Sequence, residues 1–200
     1  MSVLLALLLA GAAPQTAVDA ERAFAADAQK LGQWTAFRKW AAKDAIFLPP
    51  NPVAVALKDV PDPPVAVDWW PTASFVSCDG ATAANTGGAL WPGDRSSYFS
   101  TIWRRQADGA WRFLLDHGAD LTAARARMAQ PVVRQASCTG TPAHDAEADD
   151  EGGVSADATL RWHWRVAPEG GHRFTVQLWT GTGYETVIDD QVPAPRPKRS

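Results

Sequence analysis

The chain has 200 residues, a net charge of -3, 46% hydrophobic and 20% charged residues, which excludes a disordered chain or a fibre and leaves room for one domain with an extension. Lys and Arg number 19 against 22 acids, so the basic excess of a dedicated nucleic-acid binder is absent. Ten tryptophans stand against two tyrosines, and each brings a large apolar surface with one N–H donor, as useful in a core as in a ligand pocket.

Residues 2–13 read SVLLALLLAGAA, an apolar run ending in small residues. It is shorter than the ~20 residues of a membrane-spanning helix and has the length of a signal-peptide core, with small-residue cleavage sites at 11–13 and around Ala17. No Lys or Arg precedes the run, a departure from the usual basic start. The expectation is a signal peptide over 1–18, a periplasmic or secreted protein, and no membrane association after cleavage. The two cysteines, Cys78 and Cys138, are expected to pair in an oxidising compartment, closing a loop worth ~4 kcal/mol in the chain-entropy model.

Residues 18–45 carry Phe24, Ala28, Leu31, Trp34, Phe37, Trp40 and Ala41 at spacings of three and four, with Glu21, Asp27, Lys30, Arg38 and Lys39 between them. This spacing predicts a helix, capped at Asp19 and bent at Gly32. Pro49, Pro50 and Pro52 end it, and one short helix is expected near 53–58. From Val67 the period becomes two. Residues 75–78 and 81–90 flank Asp79-Gly80, and residues 98–106 and 111–116 flank Asp108-Gly109; both read as hairpins with two-residue turns. In the second, such a turn sets Arg105 opposite Arg112, Trp103 opposite Leu114 and Thr101 opposite Asp116, all on one face with Phe99. Tyr98, Ser100, Ile102, Arg104, Phe113, Leu115 and His117 fall on the other. Both faces are substantially apolar, so both are expected to be covered.

An acidic run, Asp145, Glu147, Asp149, Asp150 and Glu151, predicts a solvated loop within a linker over 126–157. Strand-like segments at 159–166, 173–180 and 184–188 predict a three-stranded meander within 158–192. A disordered tail is expected over 193–200.

Trp103-Arg104-Arg105-Gln106, Asp108-Gly109, Trp111-Arg112 and Asp116, with Val76 to Gly80, Gly87 and Tyr98, resemble the closing hairpins of the nuclear transport factor 2-like superfamily. Within it the similarity is to the SnoaL-like and ketosteroid-isomerase-like group, in a bacterial branch of unknown function. The resemblance covers about residues 19–120. It implies an α+β domain over 19–125 in which a curved antiparallel sheet packs on N-terminal helices as a cone with a pocket. The meander lies outside it. Isomerases, cyclases, dehydratases and non-catalytic members share that fold, so fold alone does not assign chemistry.

The expected pocket residues are Trp34, Phe37, Trp69, Phe99, Thr101, Trp103 and Leu114. Asp116 is the candidate acid or base, because a carboxylate in an apolar setting has a raised pKa; its alternative is a solvated strand-end Asp paired with Arg112. His117 would point to the opposite face. A ketosteroid-isomerase-type site needs a Tyr on the first helix, and none is present. No metal-ligand spacing and no cofactor motif occurs. The expected function is binding of a small apolar or aromatic molecule. The alternatives are a lyase, isomerase or cyclase acting on a carbonyl compound through Asp116, and an assembly module that forms a homodimer through the sheet.

Overall fold

The computed structural model describes residues 15–48, 50–142 and 151–194. The first helix, α1 (Ala17–Leu31), starts one residue after Thr16. Thr16 Oγ1 accepts from the Asp19 N–H at 3.1 Å, and the Asp19 carboxylate accepts from the Thr16 N–H at 3.2 Å. Asp19 is therefore the third residue of a capping box and not the cap itself. Ala17, Ala20, Phe24 and Ala28 form its buried stripe. Ala17 and Val18 thus open α1, with Thr16 as its cap; the expected signal peptide over 1–18 falls mostly on residues 1–14, which lie outside the described residues.

Gly32 ends α1 with φ 107°, and an added Cβ would sit 2.4 Å from the Asp62 carboxyl carbon. That close carboxylate caps α2 (Gln33–Trp40), accepting from the Thr35 N–H at 3.0 Å and the Thr35 hydroxyl at 2.6 Å. The helical expectation over 18–45 fails beyond Trp40. Ala41–Phe47 is strand β1, because its backbone finds a parallel partner along β6 (Trp111–Asp120), and tertiary pairing overrides a helix-tolerant sequence. A two-residue strand β2 (Asn51–Pro52) and a short helix α3 (Val53–Ala56) follow.

The main sheet has the order β2-β1-β6-β5-β4-β3-β7, with β3 at Asp68–Val76, β4 at Thr82–Trp91, β5 at Arg95–Arg105 and β7 at Val132–Gln135. Its centre, β6-β5-β4-β3, is antiparallel as expected, while β1 and β7 join it in parallel. Register shifts in β3 and in the β5–β6 pair bend it around α1 and α2, giving the cone-like α+β architecture. The expected linker supplies β7 and β8 (Gly152–Val154). Of the acidic run only Glu151 is described; of the tail, residues 193–194 are.

A second sheet, β11-β10-β9-β8, contains the meander β9 (Leu160–Val166), β10 (His172–Trp179) and β11 (Tyr184–Val192), with β8 as a fourth strand. It packs on the outer face of the main sheet. Leu160, Phe174, Val176, Leu178 and Ile188 meet Phe75, Ala84, Ile102, Leu114 and Leu115 in one core. The chain's own meander covers the outer face of the main sheet. Cys78 and Cys138 form a disulfide with Cα atoms 5.2 Å apart. It lies where the sheets meet, since the Cys78 N–H donates to Thr159 Oγ1 at 2.8 Å and the Ser137 N–H to the Trp179 carbonyl at 2.9 Å.

Candidate functional site

The β5–β6 hairpin sets the site. Its turn holds three residues, not two: the Gln106 N–H donates to the Ala110 carbonyl at 2.7 Å, and Gly109 takes φ 81°. Arg105 therefore pairs with Trp111 and Trp103 with Phe113, one residue off the expected register. A bulge at Leu114 then restores it, and Ile102 pairs with Leu115 and Thr101 with Asp116, as expected. The bulge turns Leu114 outward with Leu115, into the core shared with the second sheet. Leu114 is not a pocket residue, and Phe113 takes the inward place against Phe24 and Trp103.

Between α1, α2, α3 and the inner face of the main sheet lies a cavity of about 400 Å³. Trp34, Phe37, Trp69 and Phe99 line it, together with Phe24, Phe47 and Trp91. The rings hold one another edge-on: Phe24 and Phe37 lie 4.7 Å apart between centroids, Phe24 and Trp69 4.8 Å, Trp34 and Phe37 5.4 Å. Gln33 also lines the cavity and accepts the Val67 N–H at 3.0 Å, tying the chain before β3 to α2. Thr101 and Trp103, the other two expected lining residues, are fully buried behind the wall.

Asp116 faces this cavity. Its carboxyl accepts the Thr101 hydroxyl at 2.8 Å. No cation lies within ion-pair distance of it among the described residues, and Arg112 donates to the Trp111 carbonyl instead. Burial pushes its pKa up to about 7; the Thr101 hydrogen bond opposes this and the negative charge of Glu21 adds to it.

Glu21 is a site residue that sequence reasoning missed. Its charge groups it with the polar residues of the first helix, yet it is 0% exposed. Trp69 Nε1 donates to it at 2.9 Å, Trp103 Nε1 at 2.7 Å and Asn85 Nδ2 at 3.3 Å. Burial pushes its pKa up to about 7 against these three donors. Its spacing was the available signal: Glu21 stands three residues before Phe24 and seven before Ala28, on the same stripe. At the rim of the cavity the Arg95 guanidinium pairs with Asp120 at 2.6 Å and lies over the Trp91 ring at 4.4 Å.

His117 points to the opposite face, as its position in the strand dictates. Its Nε2 lies 3.1 Å from Asp190 Oδ2, which also accepts the Ser100 hydroxyl at 2.6 Å. His172 lies 5.6 Å away between ring centroids. Among the described residues no group of three or more His, Cys, Asp or Glu is gathered as metal ligands.

No protein-family model matches the chain, and no curated protein matches it. A crystal structure of a "putative ketosteroid isomerase" from Parabacteroides distasonis is similar over 54% of this chain and 90% of that chain, with 15% identity and a TM-score of 0.43. At that identity and score the likeness adds nothing to what the elements themselves show.

Proposed function

We propose that the protein binds a small, mostly apolar or aromatic molecule in the cavity between its helices and the inner face of the main sheet. One observation carries this reading: a space of about 400 Å³ walled largely by aromatic rings, into which the Asp116 carboxyl faces with no ion-pair partner among the described residues. The size and composition suit a small-molecule site, for which ~300–1,000 Å³ and mainly apolar walls are usual. The apolar N-terminal run and the Cys78–Cys138 disulfide support export to an oxidising compartment.

A catalytic reading is favoured by one further observation. The Asp116 carboxyl, its pKa pushed up to about 7 by burial in a largely apolar pocket, can give or take a proton near neutral pH. Asp116 would then serve as acid or base on a carbonyl compound.

N-phenyl-1-naphthylamine, an uncharged aromatic probe that fluoresces in apolar surroundings, tests the binding reading. Wild type binds it at micromolar concentration. Ala89→Trp, which fills the cavity from β4, abolishes binding while the far-UV circular dichroism is kept. Equal binding by both proteins contradicts the proposal. The catalytic reading is tested with 2-tetralone in D2O. Exchange of its α-protons, followed by NMR, is accelerated by wild type and not by Asp116→Asn if Asp116 transfers protons.

A further inference from the structure

The charges around the cavity are unevenly matched. At the rim, Arg95 and Asp120 cancel each other at 2.6 Å, and both are half-exposed or more. His117 contributes to the wall, but its ring is turned to the other side of the sheet, against Asp190. Behind the wall Glu21 is held by three N–H donors, none of them a cation. Asp116 is left as the one charged group that faces the cavity unpaired among the described residues. Trp34, Phe37, Trp69 and Phe99 line the same cavity.

We infer that the ligand is an organic cation, a protonated or quaternary amine on an apolar body, seated against Asp116 within this ring of aromatic side chains. The inference rests on the reading of the cavity as a ligand site. A cation is stabilised by ring faces as well as by the carboxylate, and both attractions strengthen where water is excluded. Glu21 behind the wall adds to the negative potential at Asp116 once it ionises, above about pH 7. An anion would face that potential with only the already paired Arg95 to receive it. A neutral molecule fills the space equally well but offers the carboxylate no opposite charge, so it gains nothing from the ionised form. The raised pKa of Asp116 fits this account: a bound cation pulls it back down, so binding near pH 7 releases protons.

The experiment is displacement of N-phenyl-1-naphthylamine by benzyltrimethylammonium and by neopentylbenzene, its uncharged isostere, at pH 8 and pH 5.5. At pH 8 the cation displaces the probe at a concentration about tenfold or more below that of the isostere, the order expected of a desolvated cation–π and carboxylate contact. The preference shrinks at pH 5.5, where Asp116 is protonated, and it is absent in Asp116→Asn. The pH series in wild type reads the same effect should the variant fail to fold. If the isostere displaces the probe as well as the cation at pH 8, the inference is overturned and the ligand site stands. If the probe itself does not bind, the ligand-site reading falls and the inference with it.

Discussion

The two faces of the β5–β6 hairpin solve the same burial problem differently. The outer face is filled: Ile102, Leu114 and Leu115 interlock with Leu160, Phe174 and Val176 of the second sheet. The inner face packs Trp103 and Phe113 against Phe24, while Trp69 and Phe99 wall a space that stays partly hollow. Neighbouring residues show the consequence. His117, on the filled side, has its charge partner Asp190 built into the protein. Asp116, on the hollow side, has a hydroxyl and no cation. A close-packed interface has no room for an outside partner, whereas a cavity can take one from a ligand.

Core truncation separates the faces most sharply. Phe174→Ala, in the filled core, should cost ~3–5 kcal/mol, lowering the denaturation midpoint while probe binding per folded molecule is kept. Trp34→Ala, on the cavity wall and half-buried, should show the reverse, with a loss below ~1.5 kcal/mol and a large drop in probe affinity. Urea unfolding and probe titration on the same samples decide this. If Trp34→Ala is the more destabilising of the two, the wall is a structural core and the comparison fails.

Next in size is the disulfide. Its 60-residue separation and its place between the sheets give an expected loss of ~2–4 kcal/mol in Cys78→Ser/Cys138→Ser. Urea unfolding of the double variant, against the oxidised parent, measures it. An unchanged midpoint would mean that the sheets are held by packing alone.

The inner face also predicts a pH dependence. Folded Glu21 keeps its proton to about pH 7, above its ordinary value of 4.5. Folding therefore takes up protons, and the stability this gives is full below pH ~4.5 and lost as pH rises through 7. The difference is about 3 kcal/mol, and Asp116 acts in the same direction. The carboxylates held low by partners, Asp27, Asp62, Asp157, Asp189 and Glu185, act only at lower pH, where they destabilise. Calorimetry from pH 5 to 8 should show a falling melting temperature, flatter in Glu21→Gln. Parallel slopes in the two proteins would remove Glu21 as the source.

How much of this was legible in the sequence follows from the same hairpin. Alternation and the Asp-Gly pair located the strands, the face shared by Phe99, Thr101 and Asp116, and the opposite position of His117. The turn length and the bulge were hidden, because each adds a single residue and the two errors cancel at Asp116. That is why Asp116 was placed correctly and Leu114 was not. Glu21 was hidden by its charge: only the three donors that fold over it make its burial tolerable. The end of the helix was hidden because Ala41–Phe47 is a strand only in the presence of β6.

The smallest effect concerns the N-terminus. Thr16→Ala should cost ~1 kcal/mol through loss of the capping box, read by thermal unfolding. Mature protein from the native cell should begin no later than Thr16, as N-terminal sequencing would show. A start after Val18 would mean that the fold does without this cap.

The central claim is that Asp116 is buried against a largely apolar cavity, with no counter-ion among the described residues. Its most direct test is a 13C NMR titration of the carboxyl groups, with the Asp116 signal assigned by its loss in Asp116→Asn. The account expects a midpoint near pH 7 for Asp116. A midpoint near the ordinary value of about 4 would show a hydrated or paired carboxylate and contradict it.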